Sequence, residues 1–167
     1  MEKSTYLAHG ASGSASSMKP YVDGLLGRGL DAHAVQLPRG PAERAMPAFL
    51  AQSGEGLGIA IGGQSFGGRV ASLLAAERTF GALVCFSYPL HRPGLPDQLR
   101  TAHWPRIGCP VLLLCGESDP FATISILQRE VEKLTDHELV TYPRAGHGLK
   151  GVDLEDALDR VAAFLSR

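Results

Sequence analysis

Five consecutive apolar residues, Val111-Leu112-Leu113-Leu114-Cys115, limit this chain more than any other stretch. Successive side chains of a strand point to opposite faces, so an unbroken apolar run has both faces covered. That pattern marks a parallel strand held between two layers of helix. Short runs of the same kind recur at Thr5–Ala8, Ala32–Leu37, Leu57–Ile61 and Ala82–Ser87. A shorter and more polar run, Glu138–Tyr142, suits a sheet edge.

Helical patterns separate these runs. Met18–Leu26 reads as a helix with Gly29 as its C-cap. Arg44–Gln52 reads as a short helix interrupted by Pro47, and Phe66–Arg78 opens a helix directly after the third strand. Ile124, Leu127, Val131 and Leu134 form one helical stripe, and Leu154, Leu158, Val161 and Leu165 another, with Asp153 as its cap. Strand-helix alternation of this kind gives an α/β domain with a mostly parallel sheet and right-handed crossovers. Residues 1–167 read as a single domain, without linker or repeat.

Composition excludes several function classes. Hydrophobic residues make up 44% and charged residues 20%, which suits a packed core and not disorder. Sixteen Lys+Arg against seventeen Asp+Glu leave a net charge of −1, so no basic excess draws in nucleic acid. No apolar run approaches the ~20 residues of a membrane span, and Met1–Gly10 lacks the apolar segment of a secretory signal. Cys85, Cys109 and Cys115 make no C-x-x-C pair, and their odd number prevents all of them from pairing. A cytoplasmic protein with reduced thiols is expected, with no membrane or nucleic-acid partner. The six histidines and three cysteines show no zinc spacing, and neither a P-loop nor G-x-G-x-x-G is complete, so no metal or cofactor is expected.

The chemistry lies at strand ends. Gly63-Gln64-Ser65-Phe66-Gly67 is G-x-S-x-G, with a strand before it and a helix after it. In that setting the serine occupies a sharp turn that lifts its hydroxyl above the sheet. The N–H of Phe66 then stands at a helix start, where it can donate to an anionic oxygen. A serine hydroxyl needs a base, and the base needs an orienting acid. Downstream, Gly116-Glu117-Ser118-Asp119-Pro120 follows the fifth strand and Ala145-Gly146-His147-Gly148 follows the sixth. Asp119 is the expected acid, with Glu117 as its rival, and His147 the expected base. After the first strand, His9-Gly10-Ala11-Ser12-Gly13 offers a second N–H for the oxyanion, from Ala11 or else Ser12. His9 itself reads as a structural residue at the strand end.

In these three motifs, taken in this order, the whole chain resembles the α/β-hydrolase superfamily. Within it the chain looks like the small, lid-less predicted hydrolases related to dienelactone hydrolase and the Tex-type proteins, a likeness carried by Ser87-Tyr88-Pro89-Leu90-His91-Arg92-Pro93-Gly94. It departs from dienelactone hydrolase at the nucleophile, where Ser65 stands in place of cysteine. The resemblance implies a minimal three-layer sandwich with a six-stranded parallel sheet in order 2-1-3-4-5-6 and no cap domain. It also implies a serine esterase acting on a small-molecule ester or thioester through Ser65, His147 and Asp119. The oxyanion hole would comprise Phe66 and Ala11, and Ser12, Tyr88 and Leu149 would shape the substrate site. Met18 and Phe66 also belong to the expected pocket. The alternative reading is a non-catalytic binding or scaffold module on the same fold.

Overall fold

A computed structural model describes residues 2–167. Its centre is a six-stranded sheet in the order β2-β1-β3-β4-β5-β6, every neighbouring pair parallel. The strands are β1 (Ser4–Ala8), β2 (Asp31–Val35), β3 (Gly56–Gln64), β4 (Phe80–Phe86), β5 (Val111–Gly116) and β6 (His137–Tyr142). This is the architecture and strand order that the sequence implied. The polar sixth strand does lie at an edge.

The apolar runs behave as their unbroken pattern requires. On β5, Val111, Leu113 and Cys115 join one core cluster while Leu112 and Leu114 join the other. On β4, Leu83 and Cys85 point to the first cluster and Ala82, Val84 and Phe86 to the second. The first cluster is closed by helices α2 (Ala42–Ser53), α3 (Phe66–Ala75) and α4 (Ile124–Glu130). The second is closed by α1 (Lys19–Leu26) and α5 (Gly151–Leu165). With both faces of the sheet buried, the catalytic candidates all follow C-terminal strand ends.

Several helix boundaries differ from the sequence reading. The second helix runs through Pro47 without stopping, from Ala42 to Ser53. Proline in a helix interior costs roughly 3 kcal/mol. Here Pro47 is exposed, and Ala42, Ala45, Phe49 and Ser53 are buried along one face, which offsets that loss. The stripe from Ile124 to Leu134 is correct in direction, but the α-helix ends at Glu130 and tightens into a 3-10 turn over Val131–Lys133. Asp153 is not the cap of α5. Lys150 occupies that position, and Asp153 lies in the first turn, where its charge faces the positive end of the helix dipole. Gly29 is not the C-cap of α1, which ends at Leu26 with Gly27 in that position; Gly29 closes the turn that follows, at φ +81° and with Leu30 N–H donating to the Leu25 carbonyl.

Between β4 and β5 the chain forms a loop containing a single 3-10 turn, Trp104–Arg106. Among the described residues no helix is long and apolar enough to cross a membrane. The loop carries its own anchor. Trp104 and Tyr88 are fully buried and meet edge-on at 5.1 Å, and the Tyr88 hydroxyl donates to the Arg100 carbonyl at 2.7 Å. Beside them His103 Nε2 lies 2.7 Å from the Ser72 hydroxyl. Burial, reinforced by Arg69 and Arg106, lowers the His103 pKa from 6.5 to about 4. The unfolded chain therefore takes up a proton near pH 6.5 that the folded chain refuses until about pH 4. Acid in that window favours unfolding. His103→Gln should make the loss of unfolding free energy between pH 7 and pH 5 smaller by about 2 kcal/mol, measured by urea titration at both pH values.

Candidate active site

Ser65 sits between the end of β3 and the start of α3 with φ +51° and ψ −117°. A non-glycine residue in such a region stores on the order of 1–3 kcal/mol of strain. Its surroundings hold it there: Ser65 N–H donates to the Phe86 carbonyl at 2.8 Å, and its own carbonyl accepts from Arg69 N–H at 3.1 Å. The glycines of the motif allow the turn to press against the sheet. A Cβ on Gly67 would stand 2.2 Å from the Ala8 carbonyl oxygen, and one on Gly63 2.4 Å from the same atom. No side chain larger than hydrogen fits between α3 and the end of β1.

Two more loops rise at the same edge and lie against each other. Ser118 N–H donates to the Ala145 carbonyl, and Glu117 N–H to that of Tyr142. The contact is so close that a Cβ on Gly116 would meet the Ala145 carbonyl oxygen at 2.2 Å. This brings Asp119 under His147. Both carboxylate oxygens of Asp119 lie 2.9 Å from His147 Nδ1, and Oδ1 also accepts the Phe121 N–H at 2.8 Å. The Asp119 side chain is wholly buried, while that of His147 remains 27% exposed. With Nδ1–H donating to Asp119, Nε2 is left as an acceptor, and the Ser65 hydroxyl stands 2.7 Å from it. Glu117, the rival acid, is exposed and accepts a bond from Thr141 instead.

The cavity over Ser65 measures about 400 Å³, and Ala11, Ser12 and Phe66 line it. Neither Ala11 nor Phe66 has a backbone acceptor for its N–H among the described residues. Phe66 is the first residue of α3, so its free N–H belongs to the positive end of the helix. His9 holds the Ala11 loop from behind. It accepts the Leu37 N–H on Nε2 at 2.9 Å and donates from Nδ1 to the Gly10 carbonyl at 2.7 Å, which makes it a brace and not a second base.

Tyr88, Leu149 and Met18 are not at the cavity. Tyr88 packs below its loop with its hydroxyl satisfied, and burial pushes its pKa up to about 12. Leu149 stands just before the cap of α5 and packs in the same apolar cluster as Leu154, four residues into that helix. It acts as a hydrophobic staple, and its position after His147 reflects helix entry. Met18 is core beneath α1. Cys85, Cys109 and Cys115 are free and buried, and burial raises all three thiols. Among the described residues no group of three or more His, Cys, Asp or Glu side chains could hold a metal ion.

Sequence reasoning missed four lining residues: Gln64, Arg69, Arg100 and Phe121. Arg69 was discoverable, since it lies four residues after Ser65 and therefore one helical turn above it. Phe121 stacks on the His147 ring at 4.1 Å and 27°, fixing the plane of the imidazole. Arg100 comes from an irregular loop, where no periodicity points to a direction.

The family described as "Alpha/beta hydrolase domain" matches residues 42–165. Among solved structures, the monoacylglycerol lipase of Paleococcus ferrophilus is similar with a TM-score of 0.80 and 17% identity, over 99% of this chain and 96% of that one. The dienelactone hydrolase of Anabaena variabilis is similar with a TM-score of 0.74 and 23% identity, over 99% and 86%. An esterase domain of a Rhodothermus marinus protein gives 0.71 and 15%, over 97% and 85%. At these identities the likeness is one of fold.

Gly67→Ala forces backbone against backbone at the serine turn. It is expected to destabilise the protein by more than about 2 kcal/mol in urea unfolding, well beyond the small change ordinary for a surface substitution.

Proposed function

The chain belongs to the alpha/beta hydrolase family, and from that premise we propose that it is a serine hydrolase cleaving a small carboxylic ester or thioester. One observation carries the reading: the continuous set of hydrogen bonds from the Ser65 hydroxyl through His147 to the buried carboxylate of Asp119. A serine that merely filled a turn would have no use for a histidine locked in the accepting tautomer.

The chemistry follows from this set. Ser65 Oγ attacks the acyl carbon while its proton passes to His147 Nε2. Asp119, out of water and bound to Nδ1–H, stabilises the imidazolium that forms. The negative charge that develops on the carbonyl oxygen is met by the N–H groups of Phe66 and Ala11, each such donor typically worth about 3 kcal/mol in the transition state. The imidazolium returns its proton to the leaving alcohol or thiol. Water then attacks the acyl-enzyme by the same route reversed, with His147 as the base.

A fluorophosphonate probe should label the wild-type protein at Ser65 within minutes and leave Ser65→Ala unlabelled. Ser65→Ala should abolish turnover of p-nitrophenyl acetate with an unchanged circular dichroism spectrum. Full turnover in that variant would remove Ser65 from the mechanism. Asp119→Asn should keep the fold and lower kcat by roughly 10³–10⁴-fold, because an amide in place of the carboxylate favours the wrong imidazole tautomer. Absence of labelling from a folded wild-type chain would leave a binding module on a hydrolase fold.

A further inference from the structure

Two arginines stand at the Ser65 cavity with little to neutralise them. Arg69 and Arg100 both line it. Arg69 Nε is buried and without a hydrogen-bond partner among the described residues. The Arg69 guanidinium otherwise reaches Glu43 at 3.7 Å, and that carboxylate is 62% exposed. Arg100 has no ion pair among the described residues, and its Nη1 donates a long bond of 3.4 Å to the Pro89 carbonyl. The same two arginines also line an adjoining cavity of about 290 Å³, together with Arg106, His103 and one carboxylate, Glu43.

The surrounding charges make the imbalance plain. Burial, and then the fields of Arg69 and Arg92, hold the Arg100 guanidinium below its ordinary pKa. His103 is held down by burial and then by Arg69 and Arg106. The buried carboxylate of Asp119 is already engaged by His147 and Phe121. Arg69 and Arg100 are each partly buried, the one carboxylate contact to either among the described residues is the long one from Arg69 to the exposed Glu43, and a bound anion would offset the cost of holding these like charges together. A guanidinium fork matches the paired oxygens of a carboxylate or a phosphate. A site for wholly neutral esters gains nothing from such a wall.

Building on the serine-hydrolase reading, we propose that Arg69 and Arg100 form an anion subsite beside Ser65. The ester or thioester cleaved here then carries a second, negatively charged oxygen group, held at the wall shared by the two cavities. In this arrangement Ser65 sees the acyl carbon, and the arginines fix the far end of the same molecule.

The test uses Ser65→Ala, which binds an ester without turning it over. Titration calorimetry at low salt compares monoethyl glutarate, an anion, with neutral diethyl glutarate. The anion should bind at least about tenfold more tightly, and the gap should narrow in about 0.5 M NaCl. Adding Arg69→Gln or Arg100→Gln should shrink it further. Competition by glutarate and by inorganic phosphate then tells which anion the subsite prefers, and displacement by either supports the proposal. Equal affinity for the two esters overturns the subsite, whatever the variants do. So does an anion preference that survives both arginine substitutions. In the wild type, kcat/KM for mono-p-nitrophenyl glutarate should exceed that for p-nitrophenyl butyrate. Anion-selective binding without fluorophosphonate labelling would retain the subsite and remove the hydrolase reading. Labelling without anion selectivity would do the reverse.

Discussion

The first turn of α3 lies so close to the end of β1 that the Ala8 carbonyl oxygen would stand 2.2 Å from a Cβ on Gly67. The whole site depends on that approach. It holds the start of the helix against the sheet edge, so that Ser65 and Phe66 both line the cavity. It also sets the serine turn beside the Ala11 loop, which His9 clamps to the segment after β2. The strain of the Ser65 backbone persists because bonds to Phe86 and from Arg69 fix the turn on both sides.

A second close approach completes the arrangement. The loops after β5 and β6 touch at Gly116 and Ala145, and the contact lowers His147 onto Asp119. Ser65, Asp119 and His147 each come from a different strand end. The parallel sheet is therefore the positioning device: it brings three distant stretches of chain to one edge, while its buried faces hold those ends in register.

The site's charges divide into two kinds. Asp119 is a buried anion with every oxygen committed, which keeps His147 in one tautomer. Arg69 and Arg100 are cations with little to bind, set near two further cations, Arg92 and Arg106, and beside His103, which burial and these charges hold neutral. The first kind suits the proton transfer proposed for the site. The second is explained most simply by something that arrives from outside.

The architecture, and the meeting of Ser65, His147 and Asp119, were legible in the residues because both rest on local, repeating rules. Alternation places Leu112 and Leu113 on opposite faces whatever surrounds them, and Gly-x-Ser-x-Gly between strand and helix admits few geometries. The aim of loop side chains follows no such rule. Tyr88 and Leu149, adjacent in sequence to the right loops, turned into the core because their apolar bodies found burial there. Arg100 and Phe121 turned toward the cavity instead. Pro47 inside α2 shows the same limit, since only packing on the sheet reveals that the helix continues. The sequence by itself determined which strands exist and which residues could react, since periodicity and motif spacing act over a few neighbouring residues. Only the tertiary structure decided which side chains meet at the cavity, because that choice is a competition for burial among segments far apart in the chain.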